Sequence, residues 1–273
     1  MSSTFCAHCG TNLKTPWTPP FIDAAAGGPA YRPYPHYQQR GADRSAALIM
    51  AVIIVAVLII AVVAASGLLS SGGGGKGGDG TFTWTYDGRT YSISITIPRS
   101  LYDQARSDPI QRYAYTIEEA MSMCDEYVTP NDPVVREAAA ALSNYTVGFS
   151  DLRTANFVLS FVQNIEYRED QISVSKDEYW RFPVETLYDE QGDCEDKAFL
   201  YASIMESMGY DAVILLYDGH AAAGIDVAGG YGTYYELDGK EYFYCETTAV
   251  GWSVGDIPDE YGSAYVAQVG MRP

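Results

Sequence analysis

The sequence predicts an α+β domain carried behind a single transmembrane helix. Three observations predict it. Ala46 to Ala65, "AALIMAVIIVAVLIIAVVAA", is an uncharged run of 20 residues, which at about 1.5 Å per residue spans a hydrocarbon core of roughly 30 Å. Beyond it, helical periodicities crowd into one stretch, and strands paired around Asp-Gly turns follow. Helices first and an antiparallel sheet after them is an α+β layout, with one helix buried against the sheet.

The elements follow in order. Residues 1–14 contain "FCAHCGTNL", in which Cys6, Cys9 and Gly10 form a knuckle that can offer two thiolates to a tetrahedral zinc. It resembles half of a zinc ribbon, and no second Cys-x-x-Cys follows. A partner chain completing the zinc site and a plain thiol pair are both open readings. Residues 15–44 are rich in Pro, Gly and Tyr without hydrophobic periodicity, which predicts a disordered linker. The span is assigned to 45–70 and a Gly-rich spacer to 71–80.

Arg40 and Arg44 flank the N-terminal end of the span, whereas Lys76 follows a glycine run on the other side. Positive-inside bias then places the N-terminus in the cytoplasm and residues 81–273 outside it, in a single-pass membrane protein. Charge divides the same way. Residues 1–76 hold 5 Lys/Arg and 2 Asp/Glu, net +3, leaving 12 and 33, net −21, for residues 77–273. So acidic a domain argues against nucleic acid and anionic lipid as partners, and suits the holding of cations.

Within 81–273, Phe82, Trp84 and Tyr86 alternate, Asp87-Gly88 turns, and Tyr91, Ile93, Ile95 and Ile97 alternate again, a β-hairpin with one apolar face. Helices are predicted from Tyr113 to Tyr127, from a cap at Asn131 or Asp132 with Pro133 in the first turn, and through Leu152, Ala155, Leu159, Val162 and Ile165. Two strands meet at Asp218-Gly219, the second starting at His220, and a hairpin closes at Asp238-Gly239.

The chemistry centres on "QGDCEDKAFLYASIM". The stretch after Cys194 is apolar on nearly every side, so its helix is central and covered. Gly192 permits a turn, leaving Cys194 at a helix N-terminus, where unpaired N–H groups favour a thiolate and can hold an oxyanion. Cys124 and Cys245 read as buried thiols, with a disulfide between them left open. A cysteine nucleophile needs a base, and His220 is the single histidine after the span. Glu246, in "YFYCETT", is the chosen orienter of its ring, with Asp226 as rival; alternation turns Cys245 to the opposite face.

The order "GDCEDKAFLYASIMESMGY", "YDGHAAAGIDV", "YFYCETTAVGW", preceded by "FVQNIEYRED" and "FPVETLYDEQ", resembles the transglutaminase-like superfamily of papain-type fold over most of residues 113–257. The Gly-Asp-Cys-Glu-Asp stretch is similar to the bacterial transglutaminase-like cysteine proteinases. The resemblance implies a Cys-His-Asp triad, which maps onto Cys194, His220 and Glu246, with Glu in place of the more usual Asp. It implies a peptidase or amidase acting on a protein or peptide substrate through a thioester, needing no cofactor for the chemistry. Crosslinking, and a non-catalytic module that keeps the fold, are the competing readings.

Gln191, Tyr188 and Trp180 are upstream candidates for a second oxyanion donor. Asp193, Glu195 and Asp196 oppose ionisation of Cys194 wherever they face it. Two readings answer this: they start the helix as cap and first-turn carboxylates, or they hold a calcium ion, as the resemblance to calcium-dependent proteinases implies.

Overall fold

The computed structural model describes residues 30–32, 79–170, 178–259 and 261–270. The zinc knuckle, the span expected at 45–70 and most of the linker lie outside these residues. Among the described residues, no helix is long and apolar enough to cross a membrane.

The hairpin forms as the alternation predicts: β2 (Asp79–Tyr86) pairs antiparallel with β3 (Arg89–Thr96). Asp87 and Gly88 both take positive φ in its turn, the geometry a two-residue hairpin loop needs. Phe82, Trp84, Ile93 and Ile95 are buried. They pack on α3 (Pro133–Thr146) and α4 (Asp151–Gln163).

Capping explains where those helices begin. Asp132 Oδ1 accepts from the N–H groups of Val134 and Val135 at 2.8 and 3.3 Å, with Pro133 in the first turn. Ser150 caps α4 through Arg153 N–H. The helix expected from Tyr113 starts later, as α2 (Ile117–Tyr127), because the Thr116 side chain accepts from Glu119 N–H and fixes the boundary there. Two helices that the periodicity did not reveal, α1 (Arg99–Ser107) and α5 (Pro183–Asp189), lie against each other.

At the centre is α6 (Cys194–Ser207), in which every residue from Cys194 to Met205 is buried. It packs on α3, α4 and α5 on one side and on β6 (Asp211–Tyr217) and β7 (His220–Asp226) on the other. The remaining strands are β8 (Gly232–Leu237), β9 (Lys240–Cys245) and β10 (Tyr265–Gln268). With β1 (Ala30–Arg32) they complete a sheet of order β1-β8-β9-β7-β6-β10.

Alternation gives this sheet two buried faces. Ile214, Leu216, Ala223 and Cys245 share the core with α6. Val213, Leu215, Tyr235 and Tyr244 face the other way, under Ile257, Tyr261 and Val266.

Three differences from expectation stand out. Residues 30–32, expected in a disordered linker, are an edge strand antiparallel to β8. No disulfide joins Cys124 to Cys245; both are buried thiols. A short parallel ladder of β4 (Glu166–Tyr167) with β5 (Gln191–Gly192) delivers the chain to the start of α6.

Candidate active site

The residue before the helix sets the geometry. Gly192 does not take a positive φ. Its need for glycine is close approach: a Cβ there would lie 2.8 Å from Asp196 Cβ and 3.2 Å from Thr186 Cγ2. Asp193 then stands at the N-cap position and Cys194 opens α6. Asp196 reaches back, its Oδ2 accepting from Asp193 N–H at 3.4 Å. First-turn carboxylates do therefore serve the helix start.

Sheet register supplies the other two residues. β7 runs antiparallel to β9 with Ala223 opposite Cys245, which brings the end of β9 to the start of β7. Glu246 Oε2 consequently sits 3.3 Å from His220 Nε2. Tyr244 O–H donates to the same oxygen at 2.7 Å, while Thr248 donates to Oε1 through N–H at 3.0 Å and Oγ1 at 2.6 Å. Burial alone would raise the Glu246 pKa. The imidazole, Thr248 and Tyr244 outweigh it and hold the carboxyl down at about 2.

Tyr261 stacks on the imidazole at 4.6 Å with planes 6° apart, fixing the ring from its face. Cys245 points the opposite way, toward Tyr201. The rival Asp226 lies at the far end of β7, opposite Asp211.

Cys194 and His220 line one cavity of about 470 Å³. With Nε2 engaged by Glu246, Nδ1 is the imidazole nitrogen that remains to serve a thiol. The Cys194 thiol donates to Glu195 Oε2 at 3.0 Å. Burial first, then the charges of Glu178 and Asp196, push the Glu195 carboxyl up to about 8. The residue that seemed most hostile to the thiolate is thus mostly a neutral acid at pH 7. Of the three candidate oxyanion donors, Trp180 lines the cavity. Tyr188 stacks on Tyr102, and Gln191 Oε1 accepts from Arg168.

The acidic residues separate into two groups. Asp193 and Asp196 converge with Asp170, their carboxylate oxygens within 4.8 Å of one another, whereas Glu195 turns to the thiol instead. That corrects its expected place beside the other two. Arg181 pairs with Asp170 at 2.8 Å and with Asp196, bringing one positive charge to three carboxyls whose pKa values burial raises. Asp193 Oδ1 is buried without a hydrogen-bond partner among the described residues. An all-carboxylate donor set with an unsatisfied oxygen fits a hard cation such as calcium.

Lys197, Gln163, Arg181 and Asp170 went unread in the sequence. Lys197 is fully buried, its ammonium donating to the carbonyls of Gln163, Ile165 and Thr248 at 3.2, 2.8 and 3.3 Å. Gln163 Nε2 donates to the carbonyls of Glu246 and Trp252 at 2.8 and 2.9 Å. Together they tie the Glu246 loop to the helix that carries Cys194. The signal was present: a lysine inside an otherwise apolar buried helix requires internal partners.

A helix-borne thiol and a sheet-borne imidazole–carboxylate pair sharing one cavity is the arrangement of a thiol-dependent acyl-transfer site. Comparison agrees at the level of the domain: residues 137–250 match the family model described as a transglutaminase-like domain. No curated protein matches the sequence. Among solved structures, a TGase is similar at 14% identity and TM-score 0.31 over 66% of this chain and 47% of its own. A candidate protease from Parabacteroides distasonis is similar at 11% identity and TM-score 0.32, over 66% and 41%. The match spans less than half the length of either.

Proposed function

We propose that this chain is a transglutaminase-like thiol hydrolase acting on peptide or amide bonds. The observation that carries the reading is a cavity lined by both Cys194 and His220, with Glu246 held against His220 Nε2. Cys194 Sγ adds to the substrate carbonyl while its proton passes to His220. Collapse of the adduct breaks the C–N bond, His220 protonates the leaving amine, and a thioester remains. Water, deprotonated by His220, hydrolyses the thioester and returns the thiol. Glu246 holds the ring and stabilises the imidazolium. N–H groups at the start of α6 face the developing oxyanion.

The test is the alkylation rate of Cys194 by iodoacetamide across pH, in the protein and in His220→Ala. The expected result is a rate at pH 6–7 well above that of an ordinary thiol, lost in the variant. A profile that follows a thiol of pKa about 8.5 in both proteins would sink the reading. The same result favours a non-catalytic module, which the 3% exposure of Cys194 also suits.

A calcium-class cation held by Asp170, Asp193 and Asp196 belongs to this proposal. It would neutralise buried charge one turn from the thiol. A single-pass membrane location with residues 81–273 outside the cytoplasm, and zinc at Cys6 and Cys9 completed by a partner chain, complete it.

A further inference from the structure

We infer that the cavity around Cys194 takes substrates carrying a lysine or arginine side chain beside the reacting carbonyl, selected by Glu178 and Glu195. This rests on the thiol reading above and deepens it by naming a substrate class.

The composition of the cavity wall carries the inference. Glu178, Glu195 and Asp218 line it together with Cys194 and His220, and none of the described residues lining it is lysine or arginine. The carboxylates are graded in depth. Asp218 is exposed in the turn that precedes His220, Glu178 is half-buried, and Glu195 is 8% exposed beside the thiol. A substrate entering toward Cys194 passes from the solvated carboxylate to the buried one. Arg181, the nearest cation in sequence, is committed to Asp170 and Asp196.

The rest of the wall is aromatic: Tyr115 at the rim, 76% exposed, with Trp180, Tyr217 and Tyr265. Carboxylates set among aromatic faces are the surroundings that bind an ammonium or guanidinium, through charge and through the ring quadrupole. An anionic substrate group would meet repulsion from all three carboxylates. A neutral one would leave Glu178 and Glu195 in mutual opposition, and Glu178 is the strongest single charge acting on Glu195 after its burial. A cation between them relieves both. The strongly acidic domain also draws cationic peptides toward the cleft from a distance.

The test uses the full chain with Cys194→Ala, so that binding is read without turnover, and short peptides of Ala and Gly carrying one lysine at each position in turn. Each peptide is matched to one with acetyllysine at that position, which keeps the length and removes the charge. Fluorescence anisotropy at low salt should show the best lysine peptide binding about tenfold more tightly than its acetylated match. Glu178→Gln should cut that ratio severalfold, and raised salt should narrow it further. Equal affinities, a ratio unchanged in Glu178→Gln, or no binding of any lysine peptide at millimolar concentration each overturns the inference. Its failure is distinct from failure of the thiol reading. An active chain that cleaves both peptides of a pair equally loses the inference and keeps the chemistry. A chain whose thiol alkylates like an ordinary cysteine loses the chemistry, while the binding ratio still stands or falls by itself.

Discussion

At the scale of single residues, Glu246 is the most constrained group in the site. Four donors converge on its two oxygens, and its pKa is held at about 2 against an ordinary 4.5. The sign follows from linkage. A carboxyl whose folded pKa is depressed contributes stability that is complete above its unfolded pKa and is lost as pH falls through the folded one, so this contribution fades between about pH 4.5 and pH 2. A shift of that size corresponds to about 3 kcal/mol, at roughly 1.4 kcal/mol per pKa unit. Glu246→Gln keeps the shape and removes the charge. It should slow Cys194 alkylation at pH 7 by about tenfold or more, because the imidazolium loses its counter-charge. It should also flatten the acid limb of the denaturation profile. Wild-type alkylation kinetics in the variant would show that Glu246 does not act through His220.

At the scale of elements, the start of α6 is where the fold concentrates its cost. Gly192 lies against Asp196, and Asp196 in turn accepts from Arg181 N–H at 2.7 Å and from Asp193 N–H. Gly192→Ala therefore pushes directly on a buried carboxylate that orders the first turn. The expected loss is about 2–4 kcal/mol, read by denaturant titration, since overpacking and a disturbed buried ion pair act together. A loss under about 0.5 kcal/mol would mean that the turn relaxes freely. The same element depends on Lys197, whose pKa burial lowers to about 8, partly offset by Glu246. Its ammonium joins the end of α4 and the Glu246 loop to α6, so the three chemical groups rest on one internally tied frame.

At the scale of the whole molecule, buried acids set the response to pH. Burial pushes Asp170 up to about 7 and Glu195 to about 8, with neighbouring carboxylates adding to both. Between their ordinary values and these, the folded chain keeps protons that the unfolded chain has released, so stability falls as pH rises through that window. The melting temperature should be highest near pH 5 and decline toward pH 8. Calcium should recover more at pH 8 than at pH 5, because it competes with protons for Asp170, Asp193 and Asp196. A melting temperature that rises from pH 5 to pH 8 would contradict the buried-acid account, and indifference to calcium would remove the cation.

Topology offers a second whole-molecule check. β1 pairs with β8 with Tyr31 opposite Thr233. A span at 46–65 separates residues 30–32 from the sheet by a bilayer, so span and pairing exclude each other within one chain. In the membrane-inserted protein, cysteines at positions 31 and 233 should not crosslink within a chain. Efficient crosslinking there would reject the span.

What the sequence determined by itself was local. The Asp-Gly turns at 87–88, 218–219 and 238–239, the caps at Asp132 and Ser150, and the all-round apolar pattern of α6 each arise from residues within a few positions of one another. Two helices escaped for a local reason as well. α1 buries none of its residues, so no apolar stripe marks it, and α5 is only 7 residues long. Only the tertiary structure decided which distant groups meet. Strand register puts Glu246, and not Asp226, against His220. Burial turns Glu195 from a hostile charge into a mostly neutral neighbour of the thiol. Asp170 and Arg181 join the Asp193–Asp196 turn across stretches of chain with no periodic relation to it. Turns and caps are written in adjacent residues, whereas a pKa or an ion pair depends on what three-dimensional packing brings within a few ångströms, and on how much water that packing excludes.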